Sequence, residues 1–93
     1  MNAHFSPEVL EEEMVQTKQE KKYQIVLFND DVNTFDHVIE VLMSVCQHDA
    51  LQAEQCALLV HYKGKCSVKT GTYKDLEPRC TALLDAGLSA EIE

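Results

Sequence analysis

Tyr23-Gln24-Ile25-Val26-Leu27-Phe28-Asn29-Asp30-Asp31 decides the fold. The first six residues are dominated by β-branched and aromatic side chains, and the run is short. That combination predicts a buried strand. Asn29, Asp30 and Asp31 then stop it, because their short polar side chains compete for backbone hydrogen bonds and favour turns. A buried strand cannot stand alone, so partners and a covering layer must follow.

Three helices are legible downstream. Asn33 with Asp36 three residues on resembles a capping box, as do Asp49 with Gln52 and Thr72 with Asp75. The first helix carries Phe35, Val38, Ile39, Leu42, Val45 and Cys46 at helical spacing on one face. The second is expected from about Ala50 to Lys63, stopped by Gly64. The third places Leu76, Cys80, Leu83 and Leu84 together and stops at Gly87. Lys65 to Thr70 alternates polar and apolar residues, and so does Leu88 to Glu93; both predict half-exposed strands. The expected fold is therefore a two-layer α/β sandwich, with a three-stranded sheet, three helices and the order β-α-α-β-α-β.

Upstream, residues 1–22 read as a flexible leader before a single domain over 23–93. They hold Glu11-Glu12-Glu13 and Lys21-Lys22 but no long periodic apolar face. The whole chain has 93 residues, 45% hydrophobic and 26% charged, an ordinary balance for one globular domain. Its formal charge of -8 repels phosphate backbones and anionic lipid, which argues against nucleic acid and membrane surfaces as partners and favours a cationic ligand. Charge is also unevenly placed. Asn29 to Tyr62 holds six acidic residues and no Lys or Arg, whereas Lys63 to Arg79 holds five basic residues and two acidic ones. Such a split suits orientation toward a partner, although two solvated faces would give it equally.

The cysteines, Cys46, Cys56, Cys66 and Cys80, form no C-x-x-C pair, and with the four histidines they share no metal spacing. Met1 to Glu20 carries five glutamates and no apolar run, unlike a signal peptide. The expected setting is the reducing cytoplasm, with the cysteines as small core residues and no metal or cofactor. A thiol triad of Cys46 or Cys56 with His61 and Asp30 lacks any sign of an oxyanion hole, so no enzyme activity is expected. His37 and His48 read as surface residues.

Two segments together resemble the ClpS family signature: Val26-Leu27-Phe28-Asn29-Asp30-Asp31 before a helix, and Leu59-Val60-His61-Tyr62-Lys63-Gly64-Lys65 on the second helix. The resemblance implies the fold of the ribosomal stalk protein C-terminal domain. It also implies an adaptor that binds proteins whose first residue is large and hydrophobic, and delivers them to the N-terminal domain of a Clp-type AAA+ unfoldase. By the resemblance, Asn29, Asp30 and His61 hold the substrate's α-amino group, while Asn33, Phe35, Val38, Ala57 and Val60 wall an apolar pocket. Asp31 is read as supporting the turn. The chemistry is coherent, since an α-ammonium has three donors and one charge, and these three side chains offer acceptors. Ala57, Val60 and His61 also share a helix face at i, i+3 and i+4. Departures exist: the family commonly has x-Thr-Pro-Met where this chain has Val32-Asn33-Thr34-Phe35, Ala57 stands where Met is frequent, and Lys69 and Lys74 replace a usual Gly and a usual acid. A stalk-like interaction module without a pocket is the alternative.

Overall fold

A computed structural model describes residues 21–93. The expected leader over residues 1–22 lies outside the described residues as far as residue 20. The chain runs β1 (Tyr23–Phe28), α1 (Phe35–Val45), α2 (Ala50–Lys63), β2 (Lys65–Gly71), α3 (Tyr73–Asp85) and β3 (Ser89–Ile92), the order expected.

β1 is the central strand of a three-stranded sheet ordered β2-β1-β3, and both pairings are antiparallel. Its central position explains the unbroken apolar run, because Ile25, Val26 and Leu27 are all buried. Ile25 and Leu27 point into the helical layer, where they meet Leu42, Ala53, Val60, Leu76, Leu83 and Leu88. Val26 is buried too but stands outside that cluster.

One irregularity is absent from the sequence pattern. Ile25 pairs with Lys69 and Val26 with Ser67, so Val68 is an extra residue on β2. A bulge leaves its residue outside the ladder. Val68 is buried, and its carbonyl accepts from His48 Nε2 at 2.7 Å. His48 is therefore a core residue at 5% exposure, which corrects the surface assignment. Its ring replaces a ladder partner for a buried carbonyl that would otherwise stay unsatisfied. His37 is corrected too: it is half-buried, with Nε2 donating to the Ala86 carbonyl at 2.8 Å.

The helix signals hold at two starts of three. Asp49 accepts from Gln52 N at 2.7 Å and Thr72 from Asp75 N at 3.2 Å. For α1 the cap is Thr34, which accepts from His37 N at 3.1 Å, not Asn33. Asn33 is engaged elsewhere, as described below. Gly64 and Gly87 both adopt φ +91°, the left-handed turn that ends α2 and α3. α1 ends differently. Gln47 takes φ +59°, and the carbonyls of Val45 and Cys46 accept from Arg79 Nη1 at 2.7 Å and Lys69 Nζ at 3.4 Å. Two of the five basic residues of 63–79 thus close the end of a helix that has no basic residue in its own last turn.

Two apolar expectations need correction. Leu84 is 51% exposed, because Leu76, Cys80 and Leu83 define the inward stripe and Leu84 lies about 100° past it. Cys66 is only half-buried, while Cys46, Cys56 and Cys80 lie inside.

Candidate functional site: a cleft between the first strand's turn and two helices

The site begins where β1 stops. Asn29 N donates to the Gly64 carbonyl at 2.9 Å, which ties the strand's end to the C-terminus of α2. Asn29 and His61, 32 residues apart in sequence, border the same cleft at this junction.

The next residues fold around one carboxylate. Asp30 Oδ1 accepts from Val32 N and Asn33 N, each at 2.9 Å, and Oδ2 accepts from Asn33 Nδ2 at 2.8 Å. Asn33 Nδ2 also donates to the Gly87 carbonyl at 2.8 Å. Both amide protons of Asn33 are thus engaged, one on the turn and one on the end of α3. The hydrogen bond from the Asn33 backbone is the main cause holding the Asp30 carboxyl below its ordinary pKa; the bonds from the Asn33 side chain and Val32 N add to it against a desolvation that pushes upward. Turn support, expected of Asp31, falls to Asp30 instead, and Asp31 is exposed at the rim.

Beyond the turn, a cleft of about 350 Å³ is lined by Asn29, Asp30, Asp31, Asn33, Thr34, Phe35, Val38, Ala57, Val60 and His61. All eight residues singled out from the sequence border this one space. Asp31 and Thr34 border it as well. Thr34 gave no sequence signal of its own, because its place follows from capping α1 one residue later than the pattern suggested. Val38 from α1 and Ala57 and Val60 from α2 supply apolar wall. A further space of about 30 Å³ lies among Asn29, Asp30, Asn33, Val38 and Val60 and reaches Leu27 and Leu88 of the core.

Phe35 is 40% exposed and tilts against the His61 ring, with centroids 5.4 Å apart and planes at 58°. His61 in turn meets Tyr62 edge-on at 4.9 Å. The mouth of the cleft is therefore polar and anionic on the strand side and aromatic on the helix side. Such a site can hold a small cation next to an apolar group.

The structure argues against thiol chemistry. Burial raises the Cys46 and Cys80 thiols, and burial followed by a hydrogen bond with Cys66 pushes Cys56 up to about 12. Thiols held protonated are poor nucleophiles. Among the described residues no group of three or more His, Cys, Asp or Glu side chains could hold a metal ion, and no helix is long and apolar enough to cross a membrane.

The family model described as the ATP-dependent Clp protease adaptor protein ClpS matches residues 18–91. This chain belongs to the ClpS family. Similar ClpS adapter proteins include one from Acetivibrio thermocellus, 42% identical over 65 residues, and one from Campylobacter jejuni, 37% identical over 60. The matched segments cover 70% and 62% of this chain, and 66% and 62% of those relatives. The chain therefore spans slightly under two thirds of the length of the ClpS relatives it matches. Among solved structures, Agrobacterium tumefaciens ClpS2 bound to L-phenylalaninamide has the same fold. Its TM-score is 0.73 at 24% identity, over 80% of this chain and 96% of that one.

Proposed function

We propose that this chain is a non-enzymatic adaptor: its cleft binds the free N-terminus of proteins whose first residue is large and hydrophobic, and a second surface docks on the N-terminal domain of a Clp-type AAA+ unfoldase. The observation that carries the reading is one cleft in which an ionised, hydrogen-bonded carboxylate sits within reach of an apolar wall. Asn29, Asp30 and His61 are assigned to the α-ammonium. Asn33, Phe35, Val38, Ala57 and Val60 are assigned to the first side chain.

Asp30 has about four acceptor positions, and the turn uses three. One lobe on Oδ2 remains, together with the full negative charge. The amide oxygen of Asn29 and a ring nitrogen of His61 supply the other two acceptors. Charge-assisted hydrogen bonds contribute roughly 1.5–3 kcal/mol each. Burying a Phe or Leu side chain adds about 1.5–3 kcal/mol. After binding costs, about -8 kcal/mol is within reach, which is micromolar affinity, and neither half reaches it alone. Because the turn already fixes Asp30, little ordering remains to be done on binding. The neighbour ClpS2, bound to a phenylalanine amide, is consistent with the same division of labour. A cytoplasmic setting fits the free cysteines.

The test is fluorescence anisotropy with a labelled peptide beginning with Phe, beside the same peptide N-acetylated. Only the free amine should bind. Equal binding of the two, or none to peptides beginning with Phe, Leu, Trp or Tyr, removes N-terminal recognition and leaves a stalk-like interaction module.

A further inference from the structure

Asn33 has one hydrogen-bonding group that neither the turn nor the end of α3 uses. Its Nδ2 protons go to Asp30 Oδ2 and to the Gly87 carbonyl, each at 2.8 Å. Those two acceptors fix which end of the amide is nitrogen, since an oxygen in that place would face two oxygens. Oδ1 is thereby set as an acceptor, and among the described residues no donor reaches it. It is not sealed in either, because His48 Nδ1 alone among their buried side-chain polar atoms lacks a partner.

Asn33 also stands where two spaces meet. It borders the cleft of about 350 Å³ and the space of about 30 Å³ that continues from it. Val38 and Val60 border both, and the inner space ends on Leu27 and Leu88, which are 1% and 3% exposed. A space of that size holds one or two water-sized groups and no ring. Water needs two to four polar partners to be held well, and these apolar walls supply none.

We infer that Asn33 sets the preference for the first residue: its Oδ1 accepts from the phenolic hydroxyl of an N-terminal tyrosine, whose ring fills the cleft and whose oxygen enters the inner space. This rests on the reading of the cleft as a site for a free N-terminus. A Phe ring leaves the inner space to poorly held water, and a Leu side chain stops short of it. The tyrosine hydroxyl displaces that water and keeps a hydrogen bond. Because Oδ1 stays open to hydration, Phe is not rejected outright, and the preference for Tyr is about two- to tenfold.

Anisotropy with C-terminally labelled peptides that differ only in the first residue tests it on the unaltered chain. The first residues are Phe, Tyr and 4-methylphenylalanine, which matches the length of Tyr but has no donor, each beside its N-acetylated form. Tyr should bind about two- to tenfold tighter than either of the others. In Asn33→Ala all affinities should fall, since the Asp30 turn loses a bond, and the Tyr preference should disappear. A purely structural role for Asn33 would lower the affinities and leave the ratio. Thermal melting reports folding of the variant, and the peptide series on the unaltered chain decides the matter if the variant is unfolded. Tyr no tighter than Phe, Tyr matched by 4-methylphenylalanine, or a Tyr preference that survives Asn33→Ala overturns this inference and leaves N-terminal recognition standing. Failure of every free-amine peptide, Phe included, overturns both.

Discussion

At the scale of single residues, the one carboxylate of Asp30 both organises the turn and borders the cleft. Three of its acceptor positions organise the turn, and the remaining charge faces the cleft. Its folded pKa is depressed, so its contribution to stability is complete above the unfolded value of about 3.9 and disappears as pH falls through the lowered one. In a His61→Gln variant, whose rim acceptor carries no titrating proton, binding of a free-amine peptide should therefore stay level from neutral pH down past the ordinary Asp range. A binding midpoint at or above that range would show that the turn does not hold the carboxylate ionised. Asp30→Ala removes the turn contacts and, with them, the charge proposed to hold the α-ammonium. Loss of affinity should exceed tenfold, and thermal or denaturant melting should show a loss of about 1–2 kcal/mol from the orphaned turn amides. Unchanged peptide affinity would take Asp30 out of the site. His61 stands beside it as a rim residue whose ring is oriented by Phe35 and Tyr62.

At the scale of elements, the ends of helices place the site. Gly64 stops α2, and its carbonyl receives Asn29 N, so the last turn of α2 and the end of β1 share one boundary. α3 ends in a Schellman motif: Leu88 N donates to the Leu83 carbonyl and Gly87 N to that of Leu84, each at 3.0 Å. The carbonyl of Gly87 then anchors Asn33. α1 lacks such a glycine. Gln47 occupies the left-handed position at φ +59°, where a side chain is disfavoured. Gln47→Gly should therefore stabilise the protein by about 0.5–1 kcal/mol, once the extra freedom of glycine in the unfolded chain is subtracted. Chemical denaturation measures it; a loss of stability would mean that the Gln47 side chain makes a contact outweighing the strain.

At the scale of the whole molecule, three helices rest on one face of a three-stranded sheet, and the cleft opens where that packing ends. Leu42 is 0% exposed within the central cluster, in the same helix as Phe35 and Val38. Leu42→Ala should cost about 2–5 kcal/mol, a large share of the stability of so small a domain. The change also loosens α1 under the cleft, so peptide affinity should fall along with melting temperature. A large drop in melting temperature with peptide affinity unchanged would separate the cleft from the core. The charge split of the sequence does not become a free basic face. Lys69 and Arg79 turn inward to the carbonyls of α1, which leaves Lys63, Lys65 and Lys74 exposed.

The sequence alone determined the elements and their order. Strand runs, capping residues and stop glycines act over a few residues, through sterics and local hydrogen bonds. Asp49, Thr72, Gly64 and Gly87 therefore did what their neighbours implied. The grouping of Asn29, Asp30 and His61 with an apolar wall came from a resemblance in two motifs, not from spacing, since no periodicity links positions 32 residues apart. Only the tertiary structure decided which residue caps α1, because Asn33 is drawn away by Asp30 and by the Gly87 carbonyl 54 residues on. It also decided that β2 bulges at Val68 and that His48 goes inside to satisfy the freed carbonyl. Those outcomes depend on which distant polar groups meet in the folded chain: two side-chain hydrogen bonds at a part-exposed turn hold Asn33, and a buried carbonyl without a ladder partner holds His48.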